Sequence, residues 1–324
     1  MIIGQTWQAL GIPAETCLLA YRGSIAHNMH VPGSDPNSID DVDLIGIVLA
    51  PAKNYLGLGG WGSRGTKEIK NGKWDVVLYD IRKAFSMLLQ GNPNIISLLW
   101  TLPEHRLYSD YAGDRILNNR HLFIGKHMYA SFAGYASAQL QKMTSRDPAE
   151  LREYLAVTAE LKYRGAHPNH KGEVISYPEG YEYRSGEAGN ALLTSTEKLL
   201  ARLRHFQKKG ENIGYMGDKR KHLVLDIGFD GKNAAHCIRL LRMCKELLLT
   251  GEMNVYRTDD AAELLDIKKG KWPLEKVKTH AEELFAQVKA ARDQSTLPEE
   301  PARNEAEALL VSILRYHVCA SPVL

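Results

Sequence analysis

Hydrophobic and polar positions change rhythm along the chain. Up to about residue 105 the apolar residues come in short runs bounded by Gly, Pro and Asp: "TCLLAYRG", "VDLIGIVL" (42–49) and "KWDVVLYDI" (73–81). Their content and punctuation predict three β-strands. Between the last two lies "PAKNYLGLGGWGSRGTKEIKNG" (51–72), rich in Gly and carrying Tyr55 and Trp61. It is too long for a tight hairpin and has the make-up of a mobile flap. Beyond Asp80, apolar residues fall at 81, 84, 85, 88 and 89, the spacing of a helix capped by Asp80 and stopped at Gly91. Pro93 opens another helix near its first turn. From about 110 the spacing is mostly helical and predicts helices over 126–143, 148–162, 187–208, 231–249, 259–266, 273–292 and 302–318. The gap 164–186 reads as a long loop, and 291–307 as exposed polar chain. The expected architecture is α/β (α+β): a domain with a mixed β-sheet over 1–105, then a mostly α-helical lobe over 106–324, packed together without a clean linker.

One run breaks the apolar pattern. Asp41 and Asp43 enter a strand that otherwise reads as buried, and strand interiors avoid Asp. Two apart on a strand, they share a face, while Val42 and Leu44 turn to the opposite one. Carboxylates about 7 Å apart on one face repel unless a cation sits between them. Mg²⁺, which takes one or two carboxylates plus substrate phosphates, suits that place; strand-end residues facing water fit the same four letters. Gly23–Ser24 shifts the balance. A strand that ends in Gly-Ser and runs into a short helical piece presents backbone N–H groups and a hydroxyl, a phosphate cradle. Gly-Ser alone is common in turns. The order of cradle, same-face Asp pair and a further strand carrying Asp75 is more specific.

A second constellation lies in "DKRKHLVLDIGFDGKNAAHCIRLLRMCKELL" (218–248). On a helix from about 231, Lys232, His236 and Arg239 fall at i, i+4 and i+7, on one face, with Ile238, Leu241 and Leu248 on an apolar side. A cationic face on a buried helix calls for an anion, and a nucleoside triphosphate brought to the metals is one. A solvated basic face, or partners for Glu246 and nearby acids, would use the same residues. Lys219, Arg220 and Lys221 are further candidates for phosphate, or simply exposed.

Composition adds exclusions. The 324 residues are 44% hydrophobic and 24% charged, an ordinary globular balance, and the net charge of +3 does not by itself imply nucleic acid. No apolar run reaches the roughly 18 residues of a membrane span. The opening "MIIGQTWQALGIPAETC" lacks the charged start and unbroken apolar core of a signal peptide. Cys17, Cys237, Cys244 and Cys319 form no C-x-x-C pair, so reduced thiols and a cytoplasmic setting are expected.

"GSIAHN…SIDDVDLIGIVLAP…WDVVLYDIRKAF" resembles the Gly-Ser…Asp-x-Asp…Asp pattern of the DNA polymerase β-like nucleotidyltransferase superfamily. More narrowly, "DVDLIGIVLAP", "YDIRKAFSMLLQGNPNIISLLW" and "GKNAAHCIRLLRMCKELLLTGEMNV" resemble its RlaP branch, the RNA-repair-pathway nucleotidyltransferases. The similarity runs through most of 20–100, returns near 219–270 and is poor in 110–215. His27–Asn28 stands where the family has an aromatic–Gly pair, and "GSDPNSI" is inserted before the aspartates. These departures bear on acceptor or base preference rather than on the metal site. The resemblance implies a nucleotidyltransferase palm and two-metal transfer of a nucleoside monophosphate from an NTP to a hydroxyl, probed first as an RNA end, with a protein or small-molecule acceptor, or NTP binding without turnover, as rivals. Asp41 and Asp43 would hold two Mg²⁺ ions, Asp75 would complete the site, and Gly23 and Ser24 would hold the outgoing phosphates. Asp80 is the alternative third carboxylate, although its place fits a helix cap.

Other features carry less. His167 and His170 in "RGAHPNHK", with Arg164, mimic a ribonuclease motif, but Gly165 and Pro168 break the helix it requires. Tyr177, Tyr181 and Tyr183 suit either base stacking or packing on the body. Cys237 and Cys244, seven apart, belong to a core face.

Overall fold

The structure is a computed structural model that describes residues 7–31, 41–144, 148–168, 174–176, 187–208 and 218–320. Its main sheet has five strands: β1 (Thr16–Tyr21), β2 (Val42–Val48), β3 (Thr66–Asn71), β4 (Trp74–Asp80) and β5 (Arg106–Ser109), in the order β3-β4-β2-β1-β5. β2 and β4 run parallel; every other pairing is antiparallel. A parallel pair cannot be joined by a tight turn. The chain between β2 and β4 therefore travels out through α2 (Lys53–Leu56) and returns as β3.

This corrects the flap expected over 51–72. Its second half, "TKEIKN", is a strand at the sheet edge, where exposed Lys67, Glu68 and Lys70 discourage further pairing. β5 lies beyond residue 105, so the sheet extends into the segment expected to be helical. The helices follow the apolar spacing more closely. They are α1 (Gly23–Ala26), α3 (Ile81–Leu89), α4 (Pro93–Ile96), α5 (Tyr111–Asn118), α6 (Met128–Thr144), α7 (Pro148–Tyr163), α8 (Glu187–Lys208), α9 (Asp218–Ile227), α10 (Gly231–Thr250), α11 (Ala261–Lys268), α12 (Leu274–Gln294) and α13 (Arg303–Ala320). Within the loop expected over 164–186, His167–Pro168 and Val174–Ser176 pair as a small ribbon, β6 and β7. The architecture is α+β with a mixed sheet. No helix among the described residues is long and apolar enough to cross a membrane.

The two faces of β2 go to different places. Leu44 and Val48 join Leu19, Val76 and Leu78 in a cluster on one face of the sheet. Ile45 and Ile47 face the helices, where Phe85, Phe123, Phe132, Leu241, Leu284 and Ile313 complete one continuous core. That core draws on residues before and after position 105. Polar contacts tie the same halves: Trp100 Nε1 and Arg120 both donate to Glu252, at 2.7 and 2.8 Å, and His317 Nε2 donates to the Ala50 carbonyl at 2.8 Å. A separate cluster of Leu151, Tyr154, Leu161, Leu200, Leu203, Phe206 and Val224 holds α7, α8 and α9 together.

Phe85 is fully buried edge-on to Phe123, with ring centroids 5.2 Å apart. Phe85→Ala is expected to cost about 3–5 kcal/mol in urea denaturation. Because the sheet and α10 share this core, circular dichroism and tryptophan fluorescence should report one coincident transition for both halves.

Candidate active site

The site begins at the C-terminal end of β1. Arg22 N–H donates to the Asp43 carbonyl at 2.9 Å, and the chain then turns through Gly23, at φ +62°, into α1. Glycine is required here twice over. The left-handed backbone disfavours a side chain, and a Cβ would overlap the Asp43 carboxylate. Ser24 Oγ lies 3.3 Å from His30 Nδ1.

β2 then brings Asp43 directly opposite Asp75 on β4 in the parallel register. Both side chains are about a quarter exposed, and Arg22 lies between them: its Nη2 is 3.7 Å from Asp43 Oδ1 and 3.5 Å from Asp75 Oδ1. Lys70 Nζ stands 3.9 Å from the other Asp75 oxygen. Burial raises the Asp43 pKa; Arg22 and Lys232 oppose that shift, while Asp75 and Asp41 add to it. Asp41 precedes the strand and is exposed. Asp80 is otherwise engaged. Its Oδ1 accepts Arg82 N–H at 3.0 Å as the cap of α3, and its Oδ2 accepts the Tyr55 hydroxyl at 2.8 Å.

Asp43 opens into a cleft of about 230 Å³ shared by Arg22, Gly23, Ser24, His27 and Ile45 on one side and Lys232, His236, Arg239 and Leu240 of α10 on the other. α10 is fixed at both ends. Asp230 caps it, accepting Asn233 N–H at 3.3 Å, and Gly251 ends it in the left-handed conformation. Arg220 donates to both Asp230 carboxylate oxygens, at 3.2 and 2.6 Å.

Charge along this wall is uneven. His236 and His27 are both held neutral, by burial first and by neighbouring cations next. Arg239 is only 8% exposed. The nearby acids are taken by other arginines: Arg257 pairs with Glu246 and Asp260, and Arg242 with Asp260 and Glu263. Among the described residues no carboxylate pairs with Arg239, whose Nη1 meets Met243 Sδ at 3.1 Å and His27 Nδ1 at 3.3 Å. Burial, and then Arg257, push its pKa down to about 9. A buried cation without a counterion, facing a cleft, is a receptor for an anion.

Of the residues singled out in the sequence, Gly23, Ser24, Asp43, Lys232, His236 and Arg239 line this one cleft. Asp75 joins them through Asp43, and Asp41 stands at the rim. Arg220 and Lys221 do not serve as free phosphate ligands: Arg220 holds the start of α10, and Lys221 is buried over the Tyr154 ring. Arg164 pairs with Glu160. Cys237 and Cys244 are buried thiols, with Cys237 pushed up to about 12 by burial. His170, Tyr177, Tyr181 and Tyr183, and the side chains of His167 and Lys219, lie outside the described residues. Pattern reading passed over Arg22 and did not place His27 or Lys268 in this cleft. Arg22 carried a faint signal, a charged residue at the end of an apolar strand directly before Gly-Ser.

No three His, Cys, Asp or Glu side chains converge into a ready cage among the described residues. The donor set still fits Mg²⁺, which binds through one or two carboxylates and completes its shell with phosphate and water. The Arg22 guanidinium, set between Asp43 and Asp75, marks the place of a cation.

Residues 21–160 match the model of the RlaP family, described as the RNA repair pathway DNA polymerase beta family. The match takes in the glycine–serine turn and all four aspartates but stops short of α10. It also crosses 110–160, where the sequence motifs were weak. A similar curated protein is an uncharacterized 38.9 kDa protein from the nrdC-mobD intergenic region of Enterobacteria phage T4, 24% identical over 314 residues, covering 87% of this chain and 91% of that one. No solved structure matches the chain significantly.

The raised Asp43 pKa gives a stability test. A carboxyl whose pKa rises on folding stabilises the fold below its unfolded pKa of about 3.9 and loses that contribution as pH rises through the folded value. Asp43→Asn in EDTA should therefore melt no lower than the unmodified protein at pH 7–8, and higher if burial dominates. The advantage should vanish as pH falls towards 4 in thermal melts.

Proposed function

We propose that the protein is a Mg²⁺-dependent nucleotidyltransferase that moves a nucleoside monophosphate from an NTP to a hydroxyl, with an RNA end as the acceptor. The observation that carries this reading is the pairing of Asp43 with Asp75 across a cleft from Arg239, with which no carboxylate among the described residues pairs. One wall suits a cation and the other an anion, and a metal–triphosphate complex is both. The family match over 21–160 supports the same chemistry.

Asp41, Asp43 and Asp75 would hold two Mg²⁺ ions, which when bound clamp the attacking and leaving oxygens of an in-line displacement. Gly23 and Ser24 present backbone N–H groups and a hydroxyl to the departing phosphates. Lys232, nearest the carboxylates, and Arg239, about 10 Å further along α10, neutralise the triphosphate. His236, being neutral, offers a hydrogen bond rather than charge. In the reaction the acceptor oxygen bonds to the α-phosphorus and the bond from that phosphorus to the bridging oxygen breaks. Pyrophosphate leaves, and Asp75 receives the hydroxyl proton. The protein's part is mostly placement of charge.

The RNA acceptor rests on the family's description; the exposed Arg202 and Arg204 of α8 add little, since they pair with Glu153 and Glu197. The basic cluster at 268–271 lends less support than its sequence suggests: Lys268 is buried and donates to the Met29 carbonyl at 3.1 Å, and Lys271 pairs with Asp266.

Incubation with each α-labelled NTP and Mg²⁺, with and without total RNA, tests the reading. Labelled RNA and pyrophosphate are expected, and Asp43→Asn or Asp75→Asn should lower the rate by roughly 10³-fold, about 4 kcal/mol of transition-state stabilisation. RNA binding should weaken with salt, with a log–log slope near −0.7 per phosphate contacted. Label on protein or on a small molecule would move the acceptor; nucleotide binding without pyrophosphate would leave a non-catalytic binding protein.

Arg239 should show opposite effects on stability and binding. Arg239→Met removes a buried charge that no carboxylate among the described residues balances, so the ligand-free protein should melt at a higher temperature. Nucleotide binding should weaken by about 1.5–3 kcal/mol, as it should in Lys232→Ala. Calorimetry with a non-hydrolysable NTP and a thermal melt on the same sample read both; unchanged affinity would assign this face to structure.

A further inference from the structure

We propose that Arg22 is a phosphate-binding residue that Asp43 and Asp75 hold in reserve, and that a divalent cation releases it. This rests on the metal and nucleotide reading above. The Arg22 Nη2 atom approaches one oxygen of each carboxylate, at 3.7 and 3.5 Å. Those two side chains are the ones a metal would use, so guanidinium and metal compete for one place. The backbone offers no room for both. Arg22 N–H is bonded to the Asp43 carbonyl, and Gly23 lies so close to the Asp43 carboxylate that even a Cβ would overlap it.

Displacement leaves the side chain few alternatives. Arg22 lines the same cleft as Ser24, Lys232 and Arg239 and directly precedes the glycine–serine turn. Its Nε is buried and has no hydrogen-bond partner among the described residues, while Nη2 faces the acids. With both carboxylates engaged by metal, a guanidinium at this point gains most from an anion in the cleft, and a phosphate accepts from Nε and an Nη atom together. The exchange keeps charge balanced at each stage: arginine on the acids without metal, then metal on the acids and arginine on the phosphates. Nucleotide affinity would thereby depend on metal through the protein as well as through the metal–phosphate bond.

Mn²⁺ serves as the probe, with binding to nucleotide-free protein followed by the loss of its free-ion paramagnetic resonance signal. Arg22→Gln is expected to bind Mn²⁺ about tenfold more tightly than the unmodified protein, and Mn²⁺ should raise its melting temperature more. With Mn²⁺ saturating, its affinity for an α,β-methylene NTP should fall about tenfold. Arg22→Lys keeps the charge without the fork and should lie between the two on both readings, which preserves the test if the glutamine variant folds poorly. Equal or weaker Mn²⁺ binding by Arg22→Gln and Arg22→Lys would overturn the competition. Unchanged analogue affinity would overturn the phosphate role. Absence of Mn²⁺ binding in all three proteins, or binding that Asp43→Asn leaves undiminished, would remove the metal reading itself and this proposal with it.

Discussion

Everything at this site follows from one pairing. β2 and β4 lie parallel and in register, so Asp43 and Asp75 face the same way from neighbouring strands about 5 Å apart. Two partly buried carboxylates at that spacing repel, and the sheet cannot relax to separate them because both strands are pinned on their other sides, β2 by β1 and β4 by β3. That cost adds to burial, the main cause of the raised Asp43 pKa. It is offset by a cation, and Arg22 supplies one from the end of the adjacent strand.

The helical wall poses the reverse problem. Arg242 and Arg257 take the acidic side chains around α10, and Arg239 is left buried with no carboxylate paired to it among the described residues. Natural cores seldom keep such a charge without a use for it. Neutral His27 and His236 beside it add polarity without adding to the positive charge. Acids on one wall and an unpaired base on the other give the cleft a field that a neutral ligand could not exploit. A ligand carrying a divalent cation at one end and phosphates along its length satisfies both walls at once.

Much of the frame was legible in the sequence, because helices longer than three turns announce themselves by apolar spacing. α7, α10 and α12 begin and end within about two residues of the positions that spacing predicts. The strands that carry hydrophobic runs, β1, β2 and β4, were equally plain. β3 was not, because an edge strand has only one face to bury and "TKEIKN" is polar enough to pass for loop. At the site, residue type and local spacing found the aspartates and the cationic face. They did not find Arg22, whose significance depends on the β2–β4 register and on a contact with Asp75, 53 positions away. Arg220 was misread for a similar reason: its charge is consumed by Asp230, which belongs to the next helix.

The way the two walls are mounted limits how the site can work. Ile45, two residues along the strand from Asp43, and Leu240, next to Arg239, belong to one continuous core that also takes in α3, α6 and α12. Close-packed interiors of this kind do not deform gradually, so the cleft cannot widen by a hinge between sheet and helices without breaking the core that holds both. Adjustment to a ligand must then come from side chains at the lining and from the rim, where Asp41 is exposed. A site of that construction recognises its ligand mainly by prearranged charge. A triphosphate entering such a site without metal would bring its negative charge against Asp43 and Asp75.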